Sequence, residues 1–173
     1  MRRLAERGLR TLAVDCDPNP NLAESFELDS SALGRFRGAD LQRAGESLSL
    51  AREPELVEVG RDLWLLGGPP SETPLADAVA RGIAGVLLAD RFDFTVTDLG
   101  AGPELAGVAV GGALNPADVC VALSNGTRVG DLTADRVASA CRERRVRTLR
   151  LTSPVWRAEE TAAKLADRLI AAP

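Results

Sequence analysis

The sequence contains no histidine, and lysine, cysteine and aromatic residues are scarce. It has one lysine (Lys164), three cysteines and 3% aromatic residues. Without histidine there is no Ser-His-Asp or Cys-His nucleophile, no imidazole acid–base catalyst and no histidine metal ligand. The scarcity of aromatic side chains predicts an aliphatic core. Because Lys164 is the only lysine, any motif that needs a lysine earlier in the chain is excluded from the printed sequence.

The cysteines and the apolar runs are also too few for several classes of protein. Cys16, Cys120 and Cys141 form an odd set without C-x-x-C spacing, which predicts reduced thiols and no disulfide framework or zinc knuckle. No apolar run reaches the roughly eighteen residues of a membrane span, and residues 1–8 do not resemble a signal peptide. We therefore predict a cytoplasmic protein that does not associate with membranes.

The size and charge of the chain indicate one ordinary globular domain. The 173 residues have a mass of 18.2 kDa, are 45% hydrophobic and carry a formal net charge of -4. We predict a single domain spanning residues 1–173. The negative net charge argues against a nucleic-acid partner, and the arginine-rich run at 142–147 is better explained as a solvated helix end.

Apolar runs alternate with segments of helical periodicity along the chain. Continuous apolar runs at 11–14 and 119–123 predict strands buried on both faces, as in a parallel sheet. The expected fold is α/β, with a mostly parallel sheet flanked by helices. The remaining expectations are helical turns at 2–8, 20–26 and 38–44, a hairpin at 57–66, helices at 74–90, 104–114, 129–144 and 158–171, and strands ending near Asp98 and 151.

Two acidic segments follow strands in this prediction. Asp15 and Asp17 leave the first strand and enter a loop with two prolines, and Asp98 ends a later strand before Gly100 and Gly102. Ligands bind at the carboxyl ends of strands in parallel sheets, and carboxylates there suit Mg²⁺ bound through water. The glycines allow backbone N–H groups to approach a phosphate. Taken singly, each segment is better explained as a turn or helix cap.

Taken together, the two segments resemble the ParA/MinD group of deviant-Walker (SIMIBI) P-loop ATPases. LAERGLRTLAVDCDPNPNL is similar to the passage of that group into its D-x-D-P-x-x-N switch I loop, and VTDLGAGPE to its D-x-x-A-G-x-E switch II. LVEVGRDLWLLGG resembles the hairpin between them, and NPADVCVALSNGTRVGDLTADRV the strand and helix that follow. The resemblance is nearest to MinD-like proteins and to the accessory ATPase that loads nickel into carbon monoxide dehydrogenase.

The resemblance implies a nucleotide site and a dimer. By motif position, Asp17 would orient the attacking water, and Asp15 and Asp98 would serve the Mg²⁺ shell. Asn21 would lie in the switch I loop, near the nucleotide or the partner subunit. Gly100 and Gly102 would lie against the nucleotide, with Gly102 directing an N–H towards the γ-phosphate. The cofactors implied are ATP and Mg²⁺, and the implied partners are a second copy of the chain and an unidentified protein.

One element of the family's motif set is not in the printed sequence. The family carries a glycine-rich phosphate loop ending in Gly-Lys-Ser/Thr before the helix that here begins at Arg2. We therefore expect a P-loop NTPase-like fold without the first strand and phosphate loop, and an N-terminally incomplete domain. Three explanations stay open: a start codon assigned too late, a relative that kept the fold and lost the chemistry, or a misleading resemblance.

Three functions are compatible with these residues. The first is an ATP-dependent dimeric switch that acts on a partner protein, for example in metal-centre maturation, and that is inactive without its phosphate loop. The second is a non-catalytic partner-binding module with the same fold. The third is a receiver-like domain that holds Mg²⁺, although the lysine usual in receivers is missing. Cys120 stands where the nickel-loading relatives carry a Cys-x-Cys pair, so paired copies of Cys120 in a dimer are a further metal-binding alternative.

Overall fold

The chain has an α/β fold in this computed structural model. The structure describes residues 1–29, 31, 33–34, 36–45, 47–69, 71–100, 117–153 and 157–171. Contacts divide the chain into two compact units, Met1–Ala113 and Leu114–Pro173. The strands are β1 (Thr11–Asp15), β2 (Leu41–Ala44), β3 (Ser47–Leu50), β4 (Val57–Gly60), β5 (Leu63–Leu66), β6 (Phe94–Asp98), β7 (Val119–Ser124) and β8 (Arg147–Thr152). The helices are α1 (Arg2–Ala5), α2 (Pro74–Leu88), α3 (Arg128–Glu143) and α4 (Ala158–Ile170).

The first unit is built on a four-stranded sheet with the order β4-β5-β1-β6. Strand β1 is parallel to both β5 and β6, and β4 joins β5 through the expected antiparallel hairpin. Asp62 turns that hairpin with a φ of 59°. Because β1, β5 and β6 run in the same direction, their carboxyl ends meet at one edge of the sheet, where Asp15 lies opposite Asp98.

Strand β1 occupies the centre of this unit. All five of its residues are buried, as its continuous apolar sequence predicts for a strand covered on both faces. Helix α2 crosses one face so closely that a Cβ on Gly85 would lie 2.8 Å from Cγ2 of Val14. Gly85 thus allows the helix to approach the strand that carries the acidic segment.

The region between 29 and 55 differs from the sequence-based expectation. A helical pattern was expected at 38–44, but only Gly38–Asp40 is helical, as one 3-10 turn. Leu41–Ala44 forms an antiparallel hairpin with Ser47–Leu50. Leu41 and Leu50 also pack against the core cluster around β1, so tertiary packing outweighs a weak local helical tendency. The turns expected at 20–26 are one 3-10 turn at Glu24–Phe26.

The second unit contains a parallel pair of strands and two helices. Strands β7 and β8 pair in register, and α3 connects them, as the sequence pattern predicts. Thr127 caps α3 by accepting the N–H of Gly130 at 3.1 Å, and this cap fixes where the helix begins. The helix expected at 104–114 lies outside the described residues. Among those that are described, β6 pairs only with β1, and β7 only with β8.

Candidate functional site

Asp15 fixes the loop that follows β1. Its side chain is 1% exposed, Oδ1 accepts the N–H of Asp17 at 3.1 Å, and Oδ2 accepts the N–H of Leu22 at 3.0 Å. One carboxylate therefore holds both ends of the segment from 17 to 22 against the strand. Each oxygen keeps a second lone pair, so a water molecule can still donate to it.

Asp17 meets the second acidic segment. Its Oδ1 accepts the N–H of Asn19 at 2.8 Å, which fixes the orientation of the carboxylate within its own loop. A Cβ on Gly100 would lie 2.9 Å from Oδ1 of Asp17 and 3.0 Å from its Cγ. The absence of a side chain at Gly100 therefore lets the loops after β1 and β6 come into contact at the Asp17 carboxylate.

Asp98 completes a group of three carboxylates at this edge. It ends β6 opposite Asp15, and its backbone carbonyl accepts the N–H of Cys16 at 2.9 Å. Burial raises the pKa of Asp98, and the charges of Asp15 and Asp17 raise it further. Burial also raises the pKa of Asp15, although its two backbone hydrogen bonds and Arg81 oppose that shift. The site therefore favours a bound cation or proton.

Arg81 is a member of the site that the sequence analysis missed. It lies on α2, is 2% exposed, and its Nε donates to the backbone carbonyl of Asp15 at 2.5 Å. The guanidinium thereby ties the helix to the end of β1. A signal was present in the sequence, because Arg81 falls on the same face of α2 as the buried alanines 78, 80 and 84. A charged residue on an apolar helix face indicates a specific polar contact.

Cys16 has no thiolate chemistry to offer at this site. It is fully buried, and burial raises the pKa of its thiol to about 12, with Asp15 and Asp98 adding to the shift and Arg81 opposing it. A thiol with that pKa is neutral at physiological pH and a poor nucleophile.

Three predicted residues remain to be placed: Asn21, Gly102 and Cys120. Asn21 is exposed near the end of the loop after β1, and Gly102 lies outside the described residues. Cys120 is 9% exposed, and a hydrogen bond with Cys141 helps burial to raise the pKa of its thiol to about 12. Cys120 thus faces a second cysteine of its own chain, a pairing that the sequence analysis did not foresee.

The carboxylates can supply only some of the ligands that a metal ion needs. No group of three or more His, Cys, Asp or Glu side chains is placed to hold a metal within the described ranges. Mg²⁺ in proteins is commonly bound through one or two carboxylates, with water and substrate phosphates completing the octahedron. Asp15 and Asp98 fit that partial role, and the remaining ligands would have to be water and phosphate.

Comparison with solved structures identifies the class of fold. A plasmid partition protein from Borrelia burgdorferi is similar over 99% of this chain and 78% of its own, with a TM-score of 0.55 and 12% identity. Cobyrinic acid a,c-diamide synthase from Mycobacterium smegmatis, with bound ADP and magnesium, gives a TM-score of 0.48 at 22% identity over 96% of this chain and 72% of its own. The chain therefore shares the α/β fold of this plasmid partition protein.

Other comparisons give no match. No protein-family model matches the chain, and no curated protein sequence is significantly similar to it. In the part of the chain that the structure describes, no helix is long and apolar enough to cross a membrane.

Proposed function

We propose that the chain is the switch-bearing part of a ParA/MinD-type ATPase, a dimeric protein that uses ATP to control a partner protein. The observation that carries this proposal is the meeting of two loops at one sheet edge, with Asp17 against Gly100 and Asp15 opposite Asp98. Loops that touch through one carboxylate and one glycine can respond together to a ligand placed between them. The ParA-like fold supports the same proposal.

In this proposal, each carboxylate has a separate task. Asp17 orients the attacking water, because its carboxylate is held by Asn19 and lies at the contact of the two loops. Asp15 shapes the first loop and, with Asp98, accepts hydrogen bonds from the water shell of Mg²⁺. Asn21, Gly100 and Gly102 lie along the nucleotide. Bound Mg²⁺ would supply neutralisation of phosphate charge.

The phosphate cradle is not among the printed residues. A Gly-Lys-Ser/Thr motif needs a lysine, and the only one is Lys164, which ion-pairs with Glu160 on α4. Without that lysine and its glycine-rich loop, the β- and γ-phosphates lose their main binding groups. We therefore propose that the printed chain alone is inactive as an ATPase and binds ATP more weakly than about 1 mM, a free energy near -4 kcal/mol.

One observation favours a second candidate, a non-catalytic module that binds a partner protein. Both carboxylate oxygens of Asp15 already accept backbone N–H groups, so Asp15 has a sufficient structural reason to be present. The same acidic loop could persist in a protein that has no phosphate chemistry. The two candidates differ in whether Asp17 matters for turnover.

ATP turnover by the protein expressed from its native gene separates the candidates. We would compare the wild type with Asp17→Asn and with the control Asp90→Asn, an exposed carboxylate outside the site. The ATPase proposal expects turnover to fall at least about 100-fold in Asp17→Asn, since a positioned acid–base group contributes about 10²–10⁴. The ATP affinity of Asp17→Asn and the turnover rate of Asp90→Asn should each stay within about twofold of the wild-type value. No turnover in any form, or equal turnover in Asp17→Asn, would leave only the second candidate.

Dimerisation is tested separately. Light scattering of the same protein, with and without a slowly hydrolysed ATP analogue and Mg²⁺, should show a dimer that forms or strengthens with nucleotide. A mass that stays monomeric at saturating analogue would contradict the dimeric part of the proposal.

A further inference from the structure

A cavity of about 560 Å³ opens beside the start of α2, within the first unit. It lies between the chain after β5, at 68–69 and 71–73, and the residues Phe36 and Arg37. Its volume falls within the range of about 300–1,000 Å³ typical of small-molecule sites. Arg81 lines this cavity and also contacts the end of β1, whereas Asp17, Asp98 and Gly100 do not line it. An inference from this cavity therefore does not rest on the proposed nucleotide function.

Two buried charges of opposite sign face this cavity. Asp77 is 6% exposed and Arg81 is 2% exposed, and both line the cavity. They lie one turn apart on α2, yet no ion pair within 4.0 Å joins them in the described structure. Their polar atoms are not among the buried atoms that lack a partner, so they reach the water of the cavity. A ligand that displaces this water has to pair with both charges, because an unpaired charge removed from water is costly.

Neither group is satisfied by the protein on its cavity side. Arg81 donates from Nε to Asp15, and its terminal nitrogens have no further hydrogen-bond acceptor among the described residues. Nη1 lies 2.8 Å from where a Cβ of Gly68 would stand, so the absence of a side chain at Gly68 makes room for this nitrogen. No side-chain hydrogen bond joins the carboxylate of Asp77 to another residue in the part of the chain that the structure describes.

The charges of the lining select the kind of ligand. Arg37 and Arg81 are balanced by Glu72 and Asp77, so the cavity is formally neutral and two carboxylates would repel a phosphate dianion. A guanidinium forms a bidentate pair with a carboxylate, and a carboxylate accepts strong hydrogen bonds from an ammonium group. Side chains one helical turn apart have Cβ atoms about 5–6 Å from each other. A ligand whose carboxylate and ammonium groups are attached to the same carbon atom fits the spacing of Arg81 and Asp77.

We propose that this cavity binds a free α-amino acid. Its carboxylate pairs with the terminal nitrogens of Arg81, and its ammonium group donates to Asp77. The hydroxyls of Ser71 and Thr73 line the same cavity and offer further polar contacts for the ligand. The ligand thereby supplies each buried charge with the partner that the protein does not provide.

The test uses the printed chain without nucleotide. Thermal-shift measurements with each of the twenty L-amino acids should find at least one that raises the melting temperature, and titration calorimetry then gives its affinity. N-acetylation of that amino acid, which removes the ammonium charge, or esterification of its carboxylate should each weaken binding at least about tenfold. These derivatives test the wild-type protein, so they do not depend on a variant that folds.

A variant with a matched control tests the assigned residue. Asp77→Asn keeps the shape of the side chain and should weaken binding at least about tenfold, whereas Asp90→Asn should change it less than about twofold. Three results would overturn the proposal: no response to any amino acid, unchanged affinity in Asp77→Asn with its fold intact, or tighter binding of inorganic phosphate than of every amino acid.

Discussion

Replacing Asp15 by alanine tests the central structural element of the site. The wild-type carboxylate satisfies two backbone donors, the buried N–H of Leu22 at 3.0 Å and the half-buried N–H of Asp17 at 3.1 Å. Each donor left without a partner costs about 1–3 kcal/mol. The loss is offset in part, because burial disfavours the charged form of Asp15, as the raised pKa shows. We expect Asp15→Ala to lower the free energy of unfolding by about 2–4 kcal/mol.

Asp15→Asn provides a graded comparison. Its amide oxygen can still accept one backbone N–H, while its NH₂ group faces the other donor, so about 1–2 kcal/mol of stability should be lost. Asp90→Asn, on the exposed surface, should change stability by less than about 0.5 kcal/mol. The expected order of stability is therefore Asp90→Asn first, Asp15→Asn second and Asp15→Ala last.

Urea unfolding followed by Trp64 fluorescence measures these differences in the right part of the chain. Trp64 lies beside Leu12 of β1, so its emission reports on the first unit. All forms would carry Trp156→Phe to remove the second tryptophan. Hydrogen exchange at the amide of Leu22 should also accelerate in Asp15→Ala. An Asp15→Ala protein as stable as Asp90→Asn would refute the assignment of Asp15 as the residue that fixes the loop.

Three further predictions concern neighbouring positions and the nucleotide. Because the pKa of Asp98 is raised in the folded protein, its contribution to stability is present below its unfolded pKa, near 4, and is lost as pH rises. Asp98→Asn should therefore raise the melting temperature at pH 7, with a difference that shrinks towards pH 4, and a lowered melting temperature at pH 7 would contradict this. Gly85→Ala should lower stability by up to about 2 kcal/mol, since the new Cβ would meet the buried Val14. The gain in helix propensity offsets only part of that crowding. Unchanged urea unfolding would argue against the close contact. Calorimetry on the printed chain should detect no ATP binding tighter than about 1 mM, and micromolar binding would disprove that expectation.

The main sheet could be predicted because its signals are local and strong. The continuous apolar run of β1 and the hairpin sequence around Asp62 each specify one type of structure, and the structure has both. The weak helical pattern at 38–44 was wrong because Leu41 and Leu50 gain more from pairing and packing against the core than from forming a helix. Such a choice depends on residues distant in sequence, which periodicity does not reveal.

The candidate site was predictable as a set of residues and not as a set of contacts. The sequence indicated that Asp15, Asp17 and Asp98 follow strands, and parallel pairing then brings them to one edge. It did not indicate that both oxygens of Asp15 accept backbone N–H groups, or that Arg81 reaches the carbonyl of Asp15 from α2. These contacts depend on the angle at which α2 crosses the sheet, and Gly85 sets the closeness of that crossing. The proposed roles of the site residues remain predictions.

The proposed switch requires one nucleotide to act on both acidic loops. Hydrogen exchange with mass spectrometry, on the protein expressed from its native gene, measures this most directly when a slowly hydrolysed ATP analogue and Mg²⁺ are added. We predict slower exchange in the segments 15–22 and 98–104 together, and no change in α4. Unchanged exchange in both segments at saturating analogue would contradict the claim that they form one nucleotide switch.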